Sequence, residues 1–220
     1  MRNKLRRFKE NEERYNIVQQ GKENFETAKG NWNKEHFKND NPLVVELACG
    51  YGEYSVGLAR VNPDKNFVGV DIKGSRMWVG SSQAIEENLH NVAFLRTQIL
   101  MVDRFFDEDE VDELWITCPD PRPRSRDEKR RLTYKRFMEM YKHMLKPDGW
   151  LKFKTDNTEL FQYTLEELNK RPDIKNLTFT FDLYEREDLV PEHCGIKTRY
   201  EGIFTEKGEK IKYLKFQFVK

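Results

Sequence analysis

At 220 residues the chain is long enough for one large α/β domain, or a core domain with a short extension, and too short for two full-sized ones. Its 39 lysines and arginines against 38 aspartates and glutamates leave a net charge of +1, which excludes an evenly basic nucleic-acid binder and says nothing about where the charges lie. Hydrophobic content of 37% and aromatic content of 13% exclude a disordered chain, and three scattered cysteines (Cys49, Cys118 and Cys194) without a C-x-x-C pair exclude a disulfide framework or a zinc knuckle.

No metal site is expected. No run approaches the roughly 18 apolar residues of a membrane span, and no apolar segment follows the basic N-terminus. A soluble cytoplasmic protein is the expectation.

Residues 1–41 read as a polar, helix-prone extension without a strand-like run. Its start, Arg2, Lys4, Arg6, Arg7 and Lys9 with no acid before Glu10, reads as a flexible basic arm, either a solubilising tail or a phosphate contact. From Pro42 onward short apolar runs alternate with helix-like stretches. The runs are Leu43–Ala48, Phe67–Ile72, Val92–Leu95, Leu114–Cys118, Trp150–Thr155 and Leu177–Leu183. Between them Glu53–Val61, Ser75–Leu89, Tyr134–Leu145 and Glu159–Lys170 have helical character. The tail, Lys212–Val219, alternates sides and predicts a last strand inserted antiparallel. This order implies right-handed crossovers and a mostly parallel, seven-stranded sheet with helices on both faces, a Rossmann-like α/β domain over 42–220. The four tryptophans fall in or beside these elements and read as core or near-core. The seven acids between Asp103 and Glu113 read as a solvated loop.

In such a sheet ligands sit beyond the carboxyl ends of the strands, so the residues closing each run carry the argument. The first run closes as ELACGYGE, where Gly50 and Gly52 permit a tight turn and close approach of a ligand to the backbone. The second closes on Asp71, 19 residues past Gly52, a spacing that suits a carboxylate accepting from ribose hydroxyls. Ser55 stands where a dinucleotide fingerprint has its third glycine. Glu46, before the turn, would repel a pyrophosphate but could hold an ammonium group; it could instead cap the following helix. Together these acids favour S-adenosylmethionine over NAD.

After the fourth run comes CPDPRPRSRDEKRR. Three prolines in the five residues Pro119–Pro123 exclude helix and hold Asp120 in a loop with few backbone options. Arg122–Arg136 contains eight basic and two acidic residues. Spread along a proline-stiffened loop at the ligand edge, these arginines favour anion binding through their planar forks.

The segment PDPRPRSRDEKRRL, with GNWN at Gly30–Asn33, the ELACGYG turn, FKTDN at Phe153–Asn157 and TRYE at Thr198–Glu201, resembles the bacterial tRNA (guanine-N(7)-)-methyltransferases, the TrmB-like group, over nearly the whole chain. The resemblance implies a class I methyltransferase fold and methyl transfer from S-adenosylmethionine to N7 of a guanine in the tRNA variable loop, at position forty-six. It places cofactor residues on Glu46, Asp71 and Gln98, with Asp120 completing that site and serving as catalytic aspartate. It places tRNA contacts on Arg124, Asp156, Thr198, Arg199, Tyr200 and Glu201, with Glu201 a candidate acceptor for the guanine's donors. The chain departs from the family pattern at Gln98, in place of Asp or Asn, Arg122 in place of Trp, Arg124 in place of Lys and Asp127 in place of His. Guanine N7 carries an in-plane lone pair and no proton, so the chemistry needs positioning and a nearby carboxylate more than a general base. Alternative readings are a class I methyltransferase on a small molecule or protein, and a non-catalytic RNA-binding module of the same fold. The partner expected is tRNA, and the oligomeric state is open between monomer and homodimer.

Overall fold

The computed structural model describes residues 2–220. In chain order they form α1 (Arg2–Glu13), β1 (Ile17–Gln19), α2 (Glu23–Thr27), a π-helical turn (Trp32–Phe37), β2 (Leu43–Leu47), α3 (Glu53–Val61), β3 (Asn66–Asp71), α4 (Gly74–Glu86) and β4 (Val92–Arg96). There follow β5 (Val111–Thr117), α5 (Lys135–Met144), β6 (Leu145–Thr155), α6 (Thr158–Asn169), β7 (Ile174–Thr180), α7 (Val190–His193), α8 (Arg199–Glu206) and β8 (Lys212–Phe218).

The strands make one sheet in the order β1-β4-β3-β2-β5-β6-β8-β7. All pairs from β1 through β6 are parallel. β8 lies antiparallel between β6 and β7, as the alternating tail predicts. The sheet has eight strands rather than seven, because Ile17–Gln19 pairs with Phe94–Arg96 along the open edge of β4. Three residues are too short a run to stand out in a polar extension, yet Ile17 and Val18 are buried.

The basic start is helical, in keeping with a helix-prone extension, and it is docked rather than a flexible arm. Arg7 Nη1 donates to the Ser75 carbonyl and Asn11 Nδ2 to that of Gly74, which docks α1 on the start of α4. In the acidic stretch Asp103, Asp107, Glu108 and Asp109 are exposed, as a solvated loop predicts, while Glu110, Asp112 and Glu113 are drawn into the fold. Glu110 accepts from the backbone N–H groups of Gly30 and Asp107, Asp112 pairs with Lys146 at 2.8 Å and accepts from Leu43 N, and Glu113 pairs with Lys152 at 3.0 Å. These acids lead into and line the start of β5, where each finds a donor or cation.

The two faces of the sheet are covered differently. On one, Val45, Leu47, Val68, Leu114, Ile116, Leu151, Phe153, Leu214 and Phe216 form an apolar core with Phe137, Tyr141 and Phe161 of α5 and α6. On the other, the β6–β8 half presents Lys152, Lys154, Tyr213 and Lys215, in registered pairs Lys152–Lys215 and Lys154–Tyr213. These polar residues are covered by the 183–206 segment, which brings down two acids. Glu192 meets Lys152 at 2.6 Å and also bonds Lys215, and Glu201 meets Lys154 at 2.9 Å. Trp32 and Trp115 are fully buried; Trp78 and Trp150 are half-buried.

Candidate functional site

The carboxyl ends of β2, β3, β5 and β6 open onto one cleft. At its floor Ala48, Gly50 and Gly52 all take positive φ, at 61°, 57° and 77°. Gly52 is required there: a Cβ would stand 2.5 Å from the Phe94 ring. Cys118 (φ 41°) and Arg122 (φ 48°) bracket the proline loop in the same left-handed region. Non-glycine residues so placed store strain that a packed site must hold in place.

Two cavities share this floor. The first, of about 340 Å³, has an apolar wall of Ile72, Ile99, Leu100, Leu132 and Phe137, with Thr97, Gln98, Arg122, Arg130 and Arg136 as polar groups at its border. The second, of about 530 Å³, lies against Tyr51, Arg76, Thr117, Asp156, Thr198 and Tyr200. Ala48, Asp71 and Asp120 line both.

Asp71 closes β3. Its Oδ2 accepts from Gly50 N at 3.0 Å and its Oδ1 from Lys73 N at 2.8 Å. Each oxygen keeps a lone pair free, so the carboxylate is fixed in orientation and can still accept from a vicinal diol. Gln98, exposed at the end of β4, offers an amide to the apolar cavity. An apolar slot with one amide, next to an anchored carboxylate at a glycine turn, fits an adenosine moiety.

Asp120 stands exposed between the two cavities, ion-paired with Arg122 at 3.1 Å. Such a pair in water is worth little, so Asp120 can exchange it for a ligand. Asp156, half-buried at the end of β6, faces the second cavity. Burial pushes its carboxyl above the usual range. It is not the helix cap: Asn157 accepts from Leu160 N at 2.7 Å and caps α6, leaving the Asp156 carboxylate to the cavity.

Two expected site residues take other positions. Glu46 is 4% exposed and lines neither cavity. Its Oε2 accepts from the N–H and hydroxyl of Ser55, and its Oε1 from the Thr117 hydroxyl. The capping alternative describes it, because Ser55 N belongs to the first turn of α3. Burial raises its carboxyl to about 7. Glu201 is fully buried and also lines neither cavity. It accepts from Lys154 Nζ, Tyr184 Oη and Thr198 N, three donors from inside the protein.

Thr198 and Tyr200 line the second cavity. Arg199 is exposed, its N–H donating to Glu53 Oε2 at 3.2 Å. Arg124 is exposed on the rim and lines neither cavity. Residues that reading the strand ends missed are Arg76 and Tyr51, which pair as cation over ring at 5.4 Å, and Arg130 and Arg136, which border the apolar cavity. One signal was available for the TRYE segment: T-x-x-E is the pattern of a capping box, and Thr198 and Glu201 form one.

Among the described residues no helix is long and apolar enough to cross a membrane, and no cluster of His, Cys, Asp and Glu could hold a metal ion.

A family model described as "Putative methyltransferase" matches residues 40–214. A protein of Cytophaga hutchinsonii named tRNA (guanine-N(7)-)-methyltransferase is 48% identical over 219 residues, covering 99% of this chain and 98% of its own. One of the same name from Christiangramia forsetii is 47% identical over 220 residues, covering 98% of each. Among solved structures, that of an antibiotic-related methyltransferase superposes with a TM-score of 0.61 at 16% identity, over 84% of this chain and 92% of that one, a likeness of fold.

Proposed function

The chain belongs to the tRNA (guanine-N(7)-)-methyltransferase family, and from that premise we infer that its cleft transfers the methyl group of S-adenosylmethionine to N7 of a guanine in the tRNA variable loop. The enzyme is a methyltransferase that acts on tRNA guanine. The observation that carries it is the meeting of two cavities at Asp71 and Asp120, one with an apolar wall and the Gln98 amide, which would take a nucleoside, and one with Asp156 and Thr198, which would take a base.

Asp71, held by Gly50 and Lys73, would accept from the ribose hydroxyls, and Gln98 would pair with the adenine edge. Glu46 supports the site from below: it fixes the start of α3 and ties it to Thr117 at the end of β5. When bound, S-adenosylmethionine supplies an electrophilic methyl group on a sulfonium. Guanine N7 needs no base to become a nucleophile, so the protein's work is orientation, worth on the order of 7–11 kcal/mol of barrier. Asp156 would accept from the ring N–H and amino donors of the guanine. Asp120, between the cavities, would stabilise the positive charge that moves onto the purine, an electrostatic effect strengthened in a site that excludes water. Arg124, Arg126 and their neighbours on the rim would hold phosphates, which a small-molecule methyltransferase would have no reason to carry.

Incubation with unmodified tRNA and methyl-labelled S-adenosylmethionine, followed by nucleoside analysis, is expected to place the label in 7-methylguanosine from the variable loop. Label in another nucleoside, or in none, would overturn the reading.

A further inference from the structure

A helix usually joins its domain by burying an apolar stripe. α8 does not: its one buried residue is Glu201, while Arg199, Tyr200, Ile203 and Thr205 are exposed. The partner of Glu201 is Lys154, on the neighbouring strand end, and both side chains are 0% exposed. A fully buried lysine is uncommon unless paired, and here the ammonium also sits 3.6 Å from the centre of the Tyr54 ring. Glu201 is held by three donors. Lys154 donates at 2.9 Å and Tyr184 Oη at 2.9 Å, and Thr198 N donates at 2.8 Å to close the capping box.

Replacing a buried ion pair by neutral groups of similar volume is often neutral for stability, because desolvation offsets the attraction. The pair therefore contributes direction more than free energy. Lys154 lies two residues before Asp156, and Glu201 three after Thr198; the pair thus joins the two walls of the second cavity, β6 with Asp156 and α8 with Thr198 and Tyr200.

We propose that Lys154 and Glu201 are positioning residues, a buried strut that fixes the first turn of α8 against the end of β6 and so sets the width of the guanine seat. The proposal rests on the reading of that cavity as the seat. Affinity for tRNA comes mainly from phosphate contacts on the rim, so loosening the strut should spare binding and disturb orientation, where a shift near 1 Å can cost about a hundredfold.

The test uses the full-length enzyme carrying Lys154→Met and Glu201→Gln together, which removes both charges while Gln keeps an acceptor for Thr198 N. The expected result is kcat for tRNA methylation lowered about ten- to a hundredfold, the tRNA KM and the S-adenosylmethionine Kd changed by about twofold or less, and faster amide hydrogen exchange confined to 198–206. Tyr184→Phe, which removes a single donor to Glu201, should move kcat and exchange in the same direction by less. Wild-type exchange across α8 in both variants, or in Tyr184→Phe alone should the double variant not fold, would overturn the strut, as would a loss expressed in KM instead of kcat. The exchange measurement needs no substrate, so a wild-type enzyme that leaves guanine N7 unmethylated would defeat the functional reading without deciding the strut.

Discussion

What separates the roles of the acids in and around the cleft is how many donors each has met. Asp71 has one backbone donor on each oxygen, Asp120 only the exposed guanidinium of Arg122, and Glu46 and Glu201 three donors each inside the protein. A carboxylate that lines the cleft with few donors can act on a ligand, whereas one buried away from it and held by three donors orders the structure around it. Asp120→Ala is therefore expected to reduce kcat/KM for tRNA methylation by about a hundredfold or more, with S-adenosylmethionine affinity weakened much less; turnover near wild type would remove Asp120 from the mechanism. Glu46 behaves differently because burial raises its carboxyl from about 4.5 to about 7. The folded protein then keeps a proton that the unfolded chain has already lost above pH 4.5. Its contribution to stability is complete below that pH and is lost as pH rises toward 7, by on the order of a few kcal/mol. Urea unfolding of wild type and Glu46→Gln should show the variant gaining relative stability between pH 5 and pH 8; an equal difference at the two pH values would refute this. Strand-end position made Asp71, Asp120 and Asp156 legible in the sequence, since it depends on local pattern alone. The burial of Glu46 and Glu201 was not legible in that way, because their partners Thr117 and Lys154 lie 71 and 47 residues away.

At the level of elements, the turn between β2 and α3 depends on a contact that sequence spacing does not display. Gly52 begins α3 in the left-handed region and passes so close to α4 that a Cβ would fall 2.5 Å from the Phe94 ring and 3.3 Å from the Gly80 Cα. Gly52→Ala must move an aromatic ring in the core, or two helices, and also pays for its φ. A loss of roughly 1–3 kcal/mol in denaturant unfolding is expected, together with weaker S-adenosylmethionine binding; an unchanged midpoint would show that the turn yields freely. The glycines themselves announced a ligand turn, but not which of them is sterically obliged. The same limit applies elsewhere. Periodicity located α3, α5 and α6 to within a residue or so, because each has an apolar face over a sheet. It missed β1, which has three residues, and α8, whose anchoring residue is a charge. Nor does periodicity show what covers the Lys152/Lys154 face of β6, to which Glu192 and Glu201 descend.

For the molecule as a whole, a net charge of +1 conceals polarity. Arg122–Arg136 carries eight basic and two acidic residues, and the fold divides the basic ones by use. Arg122 pairs with Asp120, Arg130 with Asp127 at 3.2 Å, and Arg131 lies over the Tyr163 ring at 4.2 Å while its Nε donates to the Arg122 carbonyl. These shape the loop. Arg124, Arg126, Lys129 and Lys135 are exposed, and among the described residues none has an ion pair. A row of unpaired cations beside the cleft attracts a polyanion and releases its counterions on binding, so tRNA affinity should fall steeply with salt while S-adenosylmethionine affinity, which neutralises no phosphate, should hardly respond. Arg124→Ala with Arg126→Ala should weaken tRNA binding and flatten the plot of log affinity against log salt by about one to two units. Calorimetry with S-adenosylmethionine should show the same affinity in both proteins, since neither arginine lines the nucleoside cavity. An unaltered salt slope would place the phosphate contacts on another face of the molecule, and a parallel loss of S-adenosylmethionine affinity would show that the loop serves the cofactor more than the tRNA.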